Sequence, residues 1–347
     1  MPRVAGTGAG SGRSFPWCVF VLALVLAGGA CSAGHDGRAS YIDDFVSRSP
    51  VAGCDRLPAL TAQGFNVVDL VAAGDTGILM LTGLSRRLVS FDRSLQVRWE
   101  VDLEERGPNG IGSPESVAMV DDSMFYVVDG GQHLVKLLDR AGRERNTVLA
   151  DFPLALARTW GGSTYVMPTV LGGMPDHLLY RIDGRKLDPE PLSPQSAAGV
   201  TQNAFVNMVV ATPRGDGGLV IMHGFYLPRA YVWDGKSVHR FTMPVPDGVR
   251  GLFEHPRPVR REEDLPYLPV VALSPYVDRP SRDIVYLTRS GRSRGDHSEK
   301  ALVRVDSTFH YVNSRLLPVD ALFIAPLSHD SVVVVSNEGE WNRCEAP

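Results

Sequence analysis

The sequence lacks the short motifs that identify the most familiar enzyme classes. It contains no phosphate-binding loop of the form Gly, four residues, Gly-Lys-Ser/Thr, no Cys-x-x-Cys and no His-Glu-x-x-His. These absences argue against P-loop nucleotidases, thioredoxin-like oxidoreductases and zincin metalloproteases. Nine histidines are present, but they are scattered, with none at a metal-ligand spacing on one predicted element. The sequence therefore identifies no reaction by motif.

Positive charge and long apolar runs are also scarce. Without residues 1–31 the chain has 33 basic and 39 acidic residues, a balance that argues against a nucleic-acid partner because such proteins carry a basic surface. The apolar run at residues 17–26 has ten residues, whereas a transmembrane helix needs about 20. We therefore expect neither nucleic-acid binding nor a membrane-spanning segment.

The first 31 residues have the pattern of a secretory signal peptide. Arg3 and Arg13 precede the apolar run, and small residues follow it up to Cys31. Two processing routes remain open. Ordinary cleavage near Ala30 or Ala33 would release a free exported protein. Alternatively, residues 26–31 resemble a lipobox, although Gly28 stands where that pattern has leucine, and Cys31 would then carry the lipid.

This pattern predicts an exported protein, located in the periplasm or held at the outer membrane or cell surface as a lipoprotein. Residues 32–53 are polar and contain Gly and Asp, so they are predicted to form a flexible tether. The folded domain is expected at residues 54–347. Contact with a membrane is expected only through a lipid on Cys31.

A repeated strand–turn–strand pattern is the most informative feature of the remaining chain. Residues 75–92 and 122–139 both read as two short strands, the second of which ends at an aspartate. The pattern recurs at intervals of 47, 44, 51 and 72 residues, at Asp92, Asp139, Asp183, Asp234 and Asp306. A period in the forties with four short strands per unit is typical of a β-propeller. Each aspartate precedes a tight turn, where its side chain is expected to cap the backbone rather than to catalyse.

We predict an all-β fold: a six-bladed propeller with four-stranded antiparallel blades, seven blades being the alternative. Inner strands are expected at residues 67–71, 116–119, 154–156, 205–210, 270–273 and 321–324. The ring would close between the N- and C-terminal segments, since the last blade needs outer strands from Trp341 onward and from the region of Cys54.

Two cysteines lie at the two ends of the predicted domain. A propeller brings its first and last blades together, and an exported protein is in an oxidising compartment, so we predict a Cys54–Cys344 disulfide. It would close a loop of 290 residues, for which chain entropy gives a stabilisation of roughly 5–6 kcal/mol.

Residues 113–142 resemble an NHL-type repeat. They read Ser-Pro-Glu-Ser-Val-Ala at 113–118, Tyr-Val-Val-Asp at 126–129 and a strand that ends in Asp-Arg-Ala-Gly at 139–142. The resemblance is good in this one repeat and partial in two others. It implies a propeller with a binding role, in a family that ranges from ligand-binding modules to lyases and lactonases.

The predicted long loops fall almost entirely on one end of the propeller. In an antiparallel blade, the entry to the inner strand and the loop between the second and third strands lie at the same end, and long loops in a compact domain are usually functional. Candidate contacts for a ligand or an envelope protein at this end are Tyr165, His223, Tyr226, Arg229, Arg292 and Arg294.

A second set of residues lies where inner strands begin, at the mouth of the central channel: Asn66, Glu115, Asn203 and Asp320. Carboxylate and amide oxygens suit Ca²⁺ or another hard divalent cation, and the set resembles the metal site of the six-bladed lactonases. The family motifs around each ligand are absent, so simple hydration of polar channel residues is the other interpretation.

Three functions are compatible with these patterns. The favoured one is an exported envelope module that binds a protein or a small molecule through its long-loop end. The alternative is a metal-dependent lactonase or lyase in which Glu115 ligates the metal or acts as a base. A structural assembly subunit, with the long loops in a protein interface, is the third.

Overall fold

A computed structural model describes residues 40–74, 77–103, 110–169, 176–194, 204–255, 270–294 and 297–347. Six four-stranded antiparallel sheets are arranged as a six-bladed β-propeller, which confirms the predicted fold and blade number. No helix in these ranges is long and apolar enough to cross a membrane. Residues 1–39, and with them Cys31, lie outside the described part.

The first three blades are consecutive in sequence, and each runs from its inner to its outer strand. Blade 1 contains β3 (Val67–Ala73), β4 (Gly77–Thr82), β5 (Arg87–Asp92) and β6 (Val97–Asp102). Blade 2 contains β7 (Pro114–Met119), β8 (Met124–Asp129), β9 (Leu134–Asp139) and β10 (Glu144–Leu149). Blade 3 contains β11 (Leu154–Trp160), β12 (Ser163–Pro168), β13 (Tyr180–Asp183) and β14 (Lys186–Pro189).

The remaining blades carry the irregular elements. Blade 4 contains β15 (Val209–Pro213), β16 (Leu219–His223), β17 (Arg229–Trp233) and β18 (Val238–Thr242). Blade 5 contains β20 (Leu273–Val277), β21 (Ile284–Arg294), β22 (His297–Val305) and β23 (Tyr311–Leu316). Blade 6 contains β24 (Ala321–Pro326), β25 (Ser331–Ser336), β26 (Trp341–Glu345) and β2 (Cys54–Arg56). Outside the blades lie β1 (Ser40–Ile42), β19 (Pro244–Pro246), α1 (Phe45–Arg48), α2 (Pro58–Thr61), α3 (Arg250–Glu254) and three 3₁₀ turns (Ala204–Asn207, Gly215–Gly217 and Asp247–Val249).

The ring closes through the N-terminal strand. β2 is the outermost strand of blade 6 and pairs with β26, with Cys54 directly opposite Cys344. The two cysteines form the predicted disulfide, with their Cα atoms 4.1 Å apart. Because β2 precedes blade 1 and the rest of blade 6 ends the chain, the bond joins the two ends of the domain covalently.

Four of the five repeated aspartates cap the tight turns that follow them, as predicted. Asp92 accepts hydrogen bonds from the amides of Ser94 (2.7 Å) and Gln96 (3.0 Å). Asp139, Asp234 and Asp306 each accept two backbone amides of the turn that follows them. The repeat is therefore a turn signal, and its aspartates point away from the channel entrance described below.

The core lies between neighbouring blades. All six residues of β4 are buried, and β25 contributes four consecutive valines that pack towards blades on both sides. A strand with both faces covered is apolar throughout rather than alternating, which is why the second strand of most blades reads as a continuous apolar run.

Two of the predicted inner strands were misplaced. In blade 4 the segment Ala204–Asn207 forms a 3₁₀ turn and the strand begins at Val209. In blade 5 the strand runs from Leu273 to Val277, although the sequence prediction ended it at Leu273. Residues 206 and 270–272 are buried in loops, and an apolar run in a buried loop cannot be distinguished from a strand by pattern alone.

Residues 40–53 are ordered and pack on the propeller, which corrects the prediction of a flexible tether for this stretch. β1 pairs in parallel with β19, and the Phe45 side chain is completely buried between blades 4 and 5. The amide of Ala52 donates to the carbonyl of Leu316 at 2.8 Å. The domain thus begins by about Ser40. The buried residues Ile42 and Phe45 are too few to stand out in a composition dominated by polar residues.

Candidate functional site: the long-loop face and the channel mouth

The two ends of the propeller differ in the length of their loops. On one end, no connection between consecutive described strands within a blade is longer than six residues, the longest being 278–283. The other end, which we call the long-loop face, carries the connections 103–113, 169–179, 190–208 and 243–272. Here the β21–β22 hairpin also extends past the other strands of its blade. The predicted asymmetry in loop length is confirmed.

The central channel is crossed by an ion pair below this face. Arg158 on β11 of blade 3 reaches Asp69 on β3 of blade 1, with N–O distances of 2.8 and 3.0 Å. Their side chains are 12% and 8% exposed. Because blades 1 and 3 are not adjacent, this contact passes in front of the inner strand of blade 2. The pair therefore forms a floor beneath the channel mouth.

The same network ties together four consecutive inner strands. The Ser116 hydroxyl of blade 2 donates to Asp69 at 2.6 Å and lies 3.0 Å from the guanidinium of Arg158. The Nε atom of Arg158 donates to the carbonyl of Ala211 in blade 4 at 3.0 Å. A charge in an apolar interior is stable only when it is paired and hydrogen-bonded, and this network satisfies both carboxylate oxygens of Asp69.

A recurrent β-bulge shapes the mouth above this floor. The register of the inner strand slips at its second residue in blades 1, 2, 3 and 6, opposite an unbroken second strand. In blade 2 that bulged residue is Glu115, directly before Ser116. Bulges reorient side chains at strand ends, and here the bulge places a carboxyl group on the mouth side of the Asp69–Arg158 floor.

Glu115 is the most perturbed acidic group of the described chain near the channel. Burial raises the pKa of its carboxyl group to about 8; the Ser113 hydroxyl, which donates at 3.3 Å, opposes this rise, and the charge of Asp129 adds to it. Its Oε2 atom is buried with no hydrogen-bond partner among the described residues. Gly130 leaves the necessary space, because a Cβ there would lie 2.6 Å from Oε1. Glu115 is therefore neutral at pH 7.

Buried polar side chains at the ends of the second strands hold down the loops of this face. Asp129 accepts the amides of Gly112, Ser113 (3.2 Å) and Gln132 (3.0 Å). Asp129 pairs with the first residue of its inner strand. The residues that do the same in blades 1, 4 and 6 are Thr82, His223 and Ser336. Thr82 and Ser336 accept the amides of Arg87 and Glu340. Four of the six blades thus carry a polar side chain at this position, and we call these four residues the ring.

His223 belongs to this ring and not to the exposed rim. Its Nδ1 lies 2.7 Å from the carbonyl of Val206, and its Nε2 lies 3.3 Å from the Tyr231 hydroxyl. Burial lowers the pKa of the imidazole to about 4, so the ring is neutral, donates from Nδ1 and accepts at Nε2. The Tyr231 hydroxyl in turn accepts a hydrogen bond from Arg229. Two of the predicted candidates, His223 and Arg229, are thus joined in one chain.

The other predicted ligand contacts are distributed differently. Tyr165 lies in the core between blades 3 and 4 and is 4% exposed. Tyr226 is 7% exposed, with a left-handed backbone at φ 62°. The side chains of Arg292 and Arg294 lie outside the described part. Arg229 is partly exposed, whereas Tyr165, His223 and Tyr226 are buried. Ligand contact by any of the six residues stays a prediction.

The four predicted metal ligands do not occupy equivalent positions. Asn66 and Asp320 directly precede inner strands, whereas Glu115 is a bulged residue inside one. Asp320 lies 3.9 Å from the ammonium group of Lys300, and Asn203 lies outside the described residues. In the described ranges, no cluster of three or more His, Cys, Asp or Glu side chains could hold a metal ion. A divalent cation held by the predicted set therefore stays a prediction.

Sequence reasoning missed the Asp69–Arg158 pair. The two residues are 89 positions apart, so no local motif joins them. A signal does exist, because both are charged residues within otherwise apolar inner strands, a placement that requires a partner.

Comparison with known proteins supports the fold alone. No family model matches the chain, and no curated protein matches it. Among solved structures, a DUF4221 family member from Bacteroides vulgatus aligns with a TM-score of 0.54 and 10% identity, over 86% of this chain and 96% of its own. A gluconolactonase from Xanthomonas campestris aligns at 0.52 and 13%, over 93% and 99%. A Bacteroides fragilis protein provisionally described as exported aligns at 0.53 and 11%, over 89% and 98%.

Proposed function

We propose that this protein is an exported β-propeller that binds an envelope protein or a small molecule through its long-loop face. The observation that carries the proposal is the difference between the two faces. The long connections collect at one end, above a channel that the Asp69–Arg158 pair crosses. A ligand would therefore contact the mouth and the loops of this end.

Export is supported by two features of the chain. A signal-peptide pattern precedes the domain, and the Cys54–Cys344 disulfide requires an oxidising compartment. The structural similarity to a protein provisionally described as exported agrees with this location. Lipid attachment at Cys31 is part of the proposal, and metabolic labelling with a radioactive fatty acid would test it by comparison with a Cys31→Ser variant.

Photo-crosslinking from one blade would test the binding role. Leu84 lies on the long-loop face in the β4–β5 loop and is 65% exposed. Ser94 is exposed in the β5–β6 turn at the opposite end of the same blade. A photoreactive residue replacing Leu84 should form a discrete adduct in intact cells, and the same residue replacing Ser94 should not. Adducts from both positions, or from Ser94 alone, would contradict binding through the long-loop face.

A second function, hydrolysis or elimination on a small ester or lactone, is favoured by Glu115 alone. A carboxyl group held neutral at pH 7 at a channel mouth can act as a general acid. A gluconolactonase and a catalytically inactive virginiamycin B lyase share the fold, with TM-scores of 0.52 and 0.51. The proposal for this activity rests on proton transfer by Glu115, whose carboxyl group has a raised pKa.

Activity screening with a matched variant would separate the two functions. The wild-type protein and Glu115→Gln would be assayed on a panel of lactones and esters, with and without added Ca²⁺. Turnover that is abolished in Glu115→Gln would favour the enzyme. Turnover that is absent in both proteins, combined with specific crosslinking from the Leu84 position, would leave the binding role.

A further inference from the structure

The N-terminal segment 40–48, which we call the strap, contacts a part of the long-loop face. β1 pairs with β19 at the start of the segment 243–255 that follows blade 4, which we call the insertion. The Asp247 carboxylate in that insertion accepts the backbone amides of Asp44 and Phe45, at 3.2 and 3.3 Å. The strap and the insertion therefore satisfy each other's backbone groups.

Side chains reinforce the same contact. The Arg250 guanidinium lies 4.3 Å from the centre of the Tyr41 ring and 3.5 Å from the Asp43 carboxylate. Phe45 is completely buried in a cluster that includes Val249 and Phe253 of the insertion. Removing a buried phenylalanine of this kind would leave a cavity that these neighbours line.

The insertion in turn packs on the base of the projecting β21–β22 hairpin. A Cβ placed on Gly248 would lie 3.1 Å from the Cα of Gly291. Gly291 itself has φ 88°, and a Cβ there would lie 2.5 Å from the carbonyl carbon of Gly248. Gly291 therefore has no room for a side chain, and the described part of the insertion packs directly against the base of the hairpin.

We propose that the strap is a clamp: its docking on blades 4 and 5 fixes the insertion and the hairpin base, and its release loosens this sector of the long-loop face. The strap is held by the three-residue pairing of β1 with β19, by the hydrogen bonds to Asp247 and by the buried side chains of Ile42 and Phe45. The cluster that buries these two side chains also contains Val249 and Phe253 of the insertion, so the strap and the insertion share one core. The strap also continues directly into the exported N-terminus, so a partner or anchor that pulls on that end acts on the clamp. The significance for binding rests on the proposed function, whereas the mechanical coupling does not.

Hydrogen exchange on the purified protein tests the coupling without a ligand. In Phe45→Ala and in the milder Asp247→Asn, amides of residues 247–254 and 286–291 should exchange at least about tenfold faster than in the wild type, because local opening becomes easier. Val51→Ala, a change at a 58% exposed residue next to the strap, is the control and should have no effect. Amides of residues 114–129 in blade 2 should be unchanged in all variants, which excludes global unfolding.

Coupling between two sites is reciprocal, so a change at the far end gives an independent test. Gly291→Ala should increase exchange in the strap, at residues 41–48, as well as in the insertion. Faster exchange of the strap in Phe45→Ala with residues 247–254 unchanged, or an unaffected strap in Gly291→Ala, would overturn the proposal. Either result would leave the crosslinking test of the proposed function unaffected.

Discussion

Removing one partner of the Asp69–Arg158 ion pair should be among the most destabilising single changes in the ring. Arg158→Met leaves Asp69 buried with an unpaired charge, and Asp69→Asn leaves the guanidinium in the same situation. Both side chains are almost fully enclosed, and breaking a buried pair by removing one partner costs about 3–5 kcal/mol. Replacing both residues together removes both charges, and such replacements are often close to neutral.

The expected result is a strongly non-additive double-mutant cycle, measured as free energies of unfolding in urea at constant pH. Each single variant should lose about 3–5 kcal/mol, and the double variant should lose clearly less than their sum. The matched control is the Arg87–Glu100 pair on the surface of blade 1, with an N–O distance of 2.9 Å and side chains 48% and 40% exposed. Its cycle should give about 0–1 kcal/mol. Single losses below about 1 kcal/mol at the channel pair, or additive ones, would refute the reasoning.

Three further predictions concern titratable groups and the disulfide. The folded-state pKa of Glu115 is raised to about 8. Its contribution to stability is therefore complete below the unfolded pKa near 4.5 and is lost as the pH rises to about 8, by up to about 1.4 kcal/mol per pH unit. Melting temperatures measured as a function of pH should show this loss in the wild type and not in Glu115→Gln, and parallel profiles of the two proteins would contradict it. His223 has its pKa lowered to about 4, so stability should fall as the pH decreases from about 6.5 towards 4, and His223→Gln should remove this acid sensitivity while weakening the loop at Val206. The double variant Cys54→Ser, Cys344→Ser should lose at most about 5–6 kcal/mol of the free energy of unfolding and should therefore melt at a lower temperature than the wild type. An unchanged melting temperature, measured by calorimetry, would show that the N-terminal strand closes the ring without covalent help.

The architecture could be predicted because it depends on local signals that repeat. Repeated aspartates such as Asp92 and Asp139 cap the turns that follow them. The apolar second strands reflect burial on both faces. The Cys54–Cys344 bond followed from ring closure together with export. These features are determined by neighbouring residues or by the general geometry of a propeller, so the sequence shows them directly.

The parts that escaped prediction depend on contacts between distant residues. The strand start in blade 4 was misplaced because Val206 is buried in a 3₁₀ turn whose carbonyl faces His223. The strap was taken for a tether because only two of its side chains, Ile42 and Phe45, are buried in the core and its other contacts are with residues about 200 positions away. Arg158 was not recognised because its partner lies two blades away. Glu115 was selected as a metal ligand, and that role stays a prediction. Its place on a bulge, where burial raises the pKa of its carboxyl group, could not be inferred from its neighbours in sequence.

The most direct measurement of the central claim is hydroxyl-radical footprinting of the protein in intact envelopes compared with the purified protein. The account predicts protection of the long-loop-face segments 83–86, 130–133 and 224–228 in the envelope, with no protection of the opposite turns 93–96, 140–143 and 234–237. Protection confined to the opposite turns, or identical footprints in the two preparations, would contradict binding through the long-loop face.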